Sequence, residues 1–147
     1  IEGEAREVAA AQAKLARDLR AKGQRAVILS GGELTVTIRG NGRGGPNQEF
    51  ALALAAELDG VPGIAALAGD TDGTDGGGGS ADDPAGAYVD GTTAERARAR
   101  GLDLTHSLAD NNSTAFFAGI GDLISPGPTF TNVNDFRAIM VDDVDTA

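Results

Sequence analysis

The sequence predicts one α/β domain, a mixed β-sheet flanked by helices. Three observations carry this expectation. Apolar residues recur at helical spacing near the N-terminus, short apolar or alternating runs of strand length alternate with further helical stretches, and glycine-rich turns separate them. The 147 residues suit a single domain. A chain of that size buries roughly 70% of its unfolded surface without needing a staple.

The elements follow in order. Residues 4–22 read as a helix with Val8, Gln12, Leu15 and Leu19 on one face, ended by Lys22 and Gly23. Ala26–Leu29 is a continuous apolar run, the pattern of a buried strand. Ser30-Gly31-Gly32-Glu33 then turns the chain, and Leu34–Ile38 alternates, so the two runs are expected to pair as an antiparallel hairpin. Pro46 opens a second helix over 46–58, rich in alanine and carrying Phe50, Leu54 and Leu58. Ile64–Ala68 and Ala87–Val89 are strands on either side of an Asp/Gly-rich loop, 70–85. Little apolar burial and mutual carboxylate repulsion predict a mobile loop there. Thr92 and Glu95 have capping-box spacing for a helix that Gly101 ends. Two short helices near 104–110 and 113–119, a polar loop over 125–135 and a last strand, Phe136–Val141, complete the pattern.

Composition narrows the function. There is no cysteine, which excludes disulfides and thiolate chemistry. The net charge of −10, from 22 acidic and 12 basic residues, argues against nucleic acid and anionic membranes as partners. No apolar run approaches the roughly 18 residues of a membrane span, and no signal peptide is visible. The chain begins at Ile1 and is expected to be a fragment of a longer cytoplasmic protein.

Four polar loops could carry chemistry. In Gly40-Asn41-Gly42-Arg43-Gly44-Gly45-Pro46, glycine amides and a following helix start suit an anion, with Arg43 as a forked charge; a tight turn with a solvated arginine is the plainer alternative. Gly40, Gly42 and Gly45 also fit the spacing of a dinucleotide-binding loop. The alternating run before them and its hairpin partner argue against that reading. Asp70, Asp72 and Asp75 crowd three carboxylates into six positions, a set suited to Mg²⁺ or Ca²⁺ or else an exposed acidic turn. The spacing excludes an EF-hand. Asp110-Asn111-Asn112-Ser113 reads as a helix cap. Thr129, Asn132, Asn134 and Asp135 belong to a loop that either meets a ligand or bonds to itself. His106 is the only histidine and reads as a surface helix residue. The lysines are Lys14 and Lys22, both on the first helix, so a phosphoryl transferase would draw its lysine from elsewhere.

Taken in order, Ser30–Glu33, Gly42–Leu52, Asp70–Gly76, Ala85–Ala87 and Gly127–Asp135 resemble the MOFRL region of the glycerate 2-kinase family, over most of residues 1–142. Bacterial members of that family are often labelled hydroxypyruvate reductases of tartrate degradation. The resemblance implies ATP- and Mg²⁺-dependent phosphorylation of D-glycerate to 2-phosphoglycerate. It places the reaction in a cleft between this C-terminal domain and a Rossmann-like N-terminal domain that brings the lysine, and it leaves a homo-oligomer open. By motif it implies Arg43 at the transferring phosphate. Glu33, Gly42, Gly44, Gly45, Asn47, Gln48, Glu49, Thr129, Asn132, Asn134 and Asp135 would contact substrate or nucleotide, and Asp70, Asp72 and Asp75 would face metal. A nicotinamide-dependent reductase and a non-catalytic acidic metal-binding module are the competing readings.

Overall fold

The computed structural model describes residues 1–142. Two long helices lie on one face of a five-stranded sheet. Helix α1 spans Ala5–Ala21 and α2 spans Pro46–Glu57. The strands are β1 (Ala26–Gly31), β2 (Ile64–Asp70), β3 (Gly86–Asp90), β4 (Leu123–Ile124) and β5 (Asp135–Val141), in the spatial order β1-β5-β2-β3-β4. Short helices α3 (Thr93–Ala99), α4 (Leu104–Ala109) and α5 (Ser113–Ile120) fill the connection from β3 to β4. Every pairing between these strands is antiparallel, so the sheet expected to be mixed is antiparallel throughout the described residues.

Small residues set the spacing of the layers. Ala5, Ala9, Ala13 and Ala16 of α1 are fully buried, and α2 is buried at every position from Asn47 to Ala55. Phe50 and Leu54 of α2, and Leu58 directly after it, project into a core closed by Ile64, Ala66, Val89, Ile139 and Val141. Phe116 and Phe117 of α5 meet edge to face, with centroids 5.2 Å apart, and close the far side.

Three local expectations are corrected, and one short strand is added. Leu34–Ile38 is not a strand of the sheet, and β1 pairs with β5 instead. Its alternation reports burial only as far as Val36: Leu34 is buried and Val36 half-buried, Ile38 is exposed, and Thr35 pairs in parallel with Glu4 through an isolated bridge at the start of α1. The run Ala26–Leu29 is half-buried on one face, at Ala26 and Ile28, with Val27 and Leu29 exposed on the other. Thr92 does not cap α3; its amide and hydroxyl bond Asp90 Oδ1 at 2.8 and 2.6 Å. Strand β4, two residues long, is too short to leave a pattern in the sequence.

The sequence also gave no sign that Arg137 is fully buried in β5. Its Nη2 donates to the carbonyls of Gly31 and Gly32, both at 2.8 Å, and its Nε to Ser30 Oγ at 3.2 Å. Nη1 lies 3.6 Å from Asp135 Oδ2, and the guanidinium sits 5.6 Å from the Phe50 ring centroid. Burial pulls this guanidinium below its ordinary value, and Asp135 opposes the shift. Arg137 thus satisfies the turn after β1, where the carbonyls point inward. Replacing it with alanine strands those acceptors and Asp135. Arg137→Ala should cost about 3 kcal/mol or more in urea unfolding; a loss below about 1 kcal/mol would show that this network does not hold the turn.

Candidate functional site

The glycine-rich loop is shaped by the segment that precedes α5. Asn111 Oδ1 accepts the amides of Arg39 and Gly40, at 2.6 and 3.0 Å. The Asn41 amide reaches Asp110 Oδ1 at 2.9 Å and the Arg43 amide reaches Asn112 Oδ1 at 3.1 Å. The Gly42 amide bonds the Asp110 carbonyl, and the Arg43 carbonyl accepts from the Thr114 amide, both at 2.9 Å. The Asp110–Ser113 segment, expected as a helix cap, therefore clasps the glycine loop, and Asn112 makes no capping bond to α5. Glycine is required by contact here: a Cβ on Gly42 would lie 2.3 Å from Asn112 Cβ.

The start of α2 already holds an anion, and it belongs to the chain. Asp75 is 5% exposed, and its carboxylate sits over the first turn. Oδ1 accepts from the amide and side chain of Asn47 at 3.1 and 3.2 Å. Oδ2 accepts from the amide and side chain of Gln48 at 2.9 and 3.0 Å. A Cβ on Gly45 would lie 2.5 Å from this carboxylate. The position is the one that helix geometry and dipole prepare for a negative group. Burial raises the Asp75 carboxyl above its ordinary value, and the Gln48 and Asn47 bonds pull it back. Gln48 also accepts from Thr114 Oγ1 at 2.6 Å, joining the Asp75 loop to α5.

The other expected residues divide sharply. Glu49 turns away from the loop mouth, where Arg6 bonds both its oxygens at 3.3 Å and Asn111 Nδ2 donates to it at 2.7 Å. It ties α1, α2 and the clasp together. Glu33 and His106 are exposed and lie apart from that mouth. Thr129, Asn132 and Asn134 belong to a loop that bonds to itself and to Thr71, a hub the sequence did not flag. The Thr71 hydroxyl donates to the Asn134 carbonyl at 2.7 Å and accepts the Val133 amide at 2.9 Å. Thr129 Oγ1 donates to the Thr71 carbonyl, and Asn132 Oδ1 accepts the Asn134 amide at 2.9 Å. Asp135 is buried beside Arg137.

The three aspartates expected to face a metal do not converge. Among the described residues no group of three or more His, Asp or Glu side chains is placed to hold a metal ion. Asp75 is engaged by α2. Asp70 pairs in register with Asp135 across β2 and β5 and accepts the Asp72 amide at 3.1 Å. Burial first, then the carboxylates of Asp72 and Asp135, push Asp70 up to about 6. The loop over 70–85 is tied at a second point, where Asp83 accepts the amides of Gly79 and Ser80 at 2.7 and 2.9 Å.

What remains open is a cleft of about 260 Å³ whose lining includes Gly42, Arg43, Gly44, Thr114 and the carboxylates Asp75 and Asp83. The Arg43 backbone is fixed from behind, and its side chain is exposed. Among the described residues that guanidinium has no partner within the chain. A rigid loop with a free fork over a polar cleft is built to meet an anionic ligand.

This fold and loop arrangement defines a member of the MOFRL family: the family's model matches residues 26–135, and the chain belongs to it. Among curated proteins it is 48% identical, over 96% of its length, to an Agrobacterium vitis protein provisionally named hydroxypyruvate reductase. It is 39% identical, again over 96% of its length, to the glycerate 2-kinase of Pyrococcus horikoshii. It covers 33% and 32% of those two proteins, so the chain spans about a third of the relatives it matches. Its fold superposes on the crystal structure of Thermotoga maritima glycerate kinase with a TM-score of 0.87 at 36% identity, covering 96% of this chain and 34% of that one.

The Asp70 environment gives a pH test. Its folded value, about 6, lies above the ordinary 3.8, so the native state holds this proton more tightly than the unfolded chain does. That contribution to stability is complete below about pH 4 and is lost as the pH rises through about 6. Asp70→Asn should therefore melt higher than the parent at pH 7, with the difference vanishing near pH 4. Equal melting temperatures at pH 7 would remove the strained carboxylate.

Proposed function

We propose that this chain is the C-terminal module of a glycerate 2-kinase and forms one wall of the cleft in which ATP phosphorylates D-glycerate to 2-phosphoglycerate. The observation that carries the reading is the free Arg43 guanidinium on a clasped loop above a polar cleft, in a family whose relatives include named glycerate kinases. Phosphoryl transfer asks for positioning and neutralisation of charge, and a planar fork held over an anion supplies both. The amide of Gly44 has no partner among the described residues and faces the same task. The reaction's lysine would come from the Rossmann-like part of the longer polypeptide, since Lys14 and Lys22 are exposed on or just beyond α1.

Among the described residues the donors do not fit a magnesium cage, because Asp75 is engaged by α2 and no three acidic side chains converge. Mg²⁺ would enter on the nucleotide. The reductase reading draws on the name of the Agrobacterium vitis relatives. A dinucleotide pyrophosphate seated at the start of α2 would meet the Asp75 carboxylate there.

Steady-state kinetics of the full-length enzyme test the kinase reading. Arg43→Ala should lower kcat about a hundredfold or more and leave the melting temperature nearly unchanged, since the side chain is exposed. Arg43→Lys should recover only part, keeping the charge and losing the fork. Parent kcat in Arg43→Ala would remove this residue from the mechanism, and a large drop in melting temperature would recast it as structural.

A further inference from the structure

Among the described residues the face of the sheet opposite α1 and α2 is bare and apolar. Val27 and Leu29 of β1, Phe136 and Met140 of β5, Leu67 of β2 and Tyr88 of β3 all point outward and are exposed, Leu29 at 65% and Met140 at 50%. Strand register joins them into one patch: Val27 stands beside Met140, and Leu67 beside Tyr88. No outward position of β1, β2 or β5 carries a polar side chain. An antiparallel sheet that faces water on one side alternates polar residues outward. This one has the composition of a sheet covered on both faces, and an apolar patch of this extent marks an interface.

We propose that this outer face is covered by a layer of the same longer polypeptide, drawn from the two thirds of the relatives' length that lies beyond this chain. The inference rests on the module reading above only in requiring that longer polypeptide. Charge favours this occupant over a second copy, because two chains of −10 would have to bring their faces together. Charge also describes the layer. At one end the patch runs into a groove of about 560 Å³ floored by Ile64, Ala65 and Met140 and bordered by Asp90 and Glu95. The covering layer is apolar at its centre and carries Lys or Arg at that border.

Met140 is the only methionine and lies within the patch, so its oxidation by hydrogen peroxide reports cover directly. In the isolated chain it should oxidise nearly as fast as free methionine, and the chain should sediment as a monomer. Joined in one polypeptide to the remaining two thirds of the 48% identical Agrobacterium vitis relative, Met140 should oxidise about tenfold more slowly or less. An unchanged rate in a folded fusion overturns the proposal. Should the fusion misfold, a cysteine at the aligned position of the intact relative decides. Thiol labelling that is slow in the intact relative and fast in its excised matching third supports the cover, and equal labelling overturns it. A dimer of the isolated chain with protected Met140 assigns the face to a second copy and also overturns it. None of these readouts uses turnover, so a failed kinase assay and a failed cover are read separately.

Discussion

The Asp75 carboxylate at the start of α2 is the contact on which the candidate site depends. The first turn of a helix leaves amides without partners and concentrates positive potential there. Here two of those amides and two side-chain amides converge on one carboxylate that the chain folds back from 27 and 28 residues away. Desolvating a carboxylate is costly, and burial does raise its pKa. Four hydrogen bonds and the helix dipole offset that cost. The contact anchors the Asp/Gly-rich loop, and through Gln48 and Thr114 it joins that loop to α5. The glycine loop is held between this anchor and the Asp110–Asn112 clasp.

One design recurs at the other polar centres. Glu49 is buried and joined to Arg6 and Asn111, and Arg137 is buried and joined to Ser30, Gly31, Gly32 and Asp135. Each draws together segments distant in sequence that lack apolar side chains of their own. With few aromatic residues and 22 glycines, this chain fixes its loops by buried polar contacts and leaves close packing to alanine-lined helices. Arg43 differs from the buried charges in having its backbone fixed and its charge free, the separation a ligand-binding group requires.

Much of the layer arrangement was legible in the sequence because periodicity reports burial. Helices α1 and α2 and strands β2 and β5 fall within a residue or two of their expected bounds. The failures share a cause: periodicity says that a residue is buried and not against what. Leu34–Ile38 alternates because it packs by α1, without joining the sheet. The Ala26–Leu29 run is apolar on both sides although this chain covers one. In the site, the glycine loop, Arg43 and the helix start were legible as motifs. That Asp75 fills the start of α2, that Asn111 and Asn112 hold the loop, and that Arg137 is buried depend on long-range contacts that a single sequence does not display.

The internal role of Asp75 is tested most directly by titrating the isotope-labelled chain with inorganic phosphate and following its amide resonances. If the carboxylate is the resident anion of α2, the Asn47 and Gln48 amides keep their positions at every phosphate concentration. Any saturable response is then confined to the Arg43–Gly44 side of the cleft. Saturable shifts of the Asn47 and Gln48 amides in the parent chain would mean that the helix start is open to a ligand, and would contradict the assignment of Asp75 as its anion.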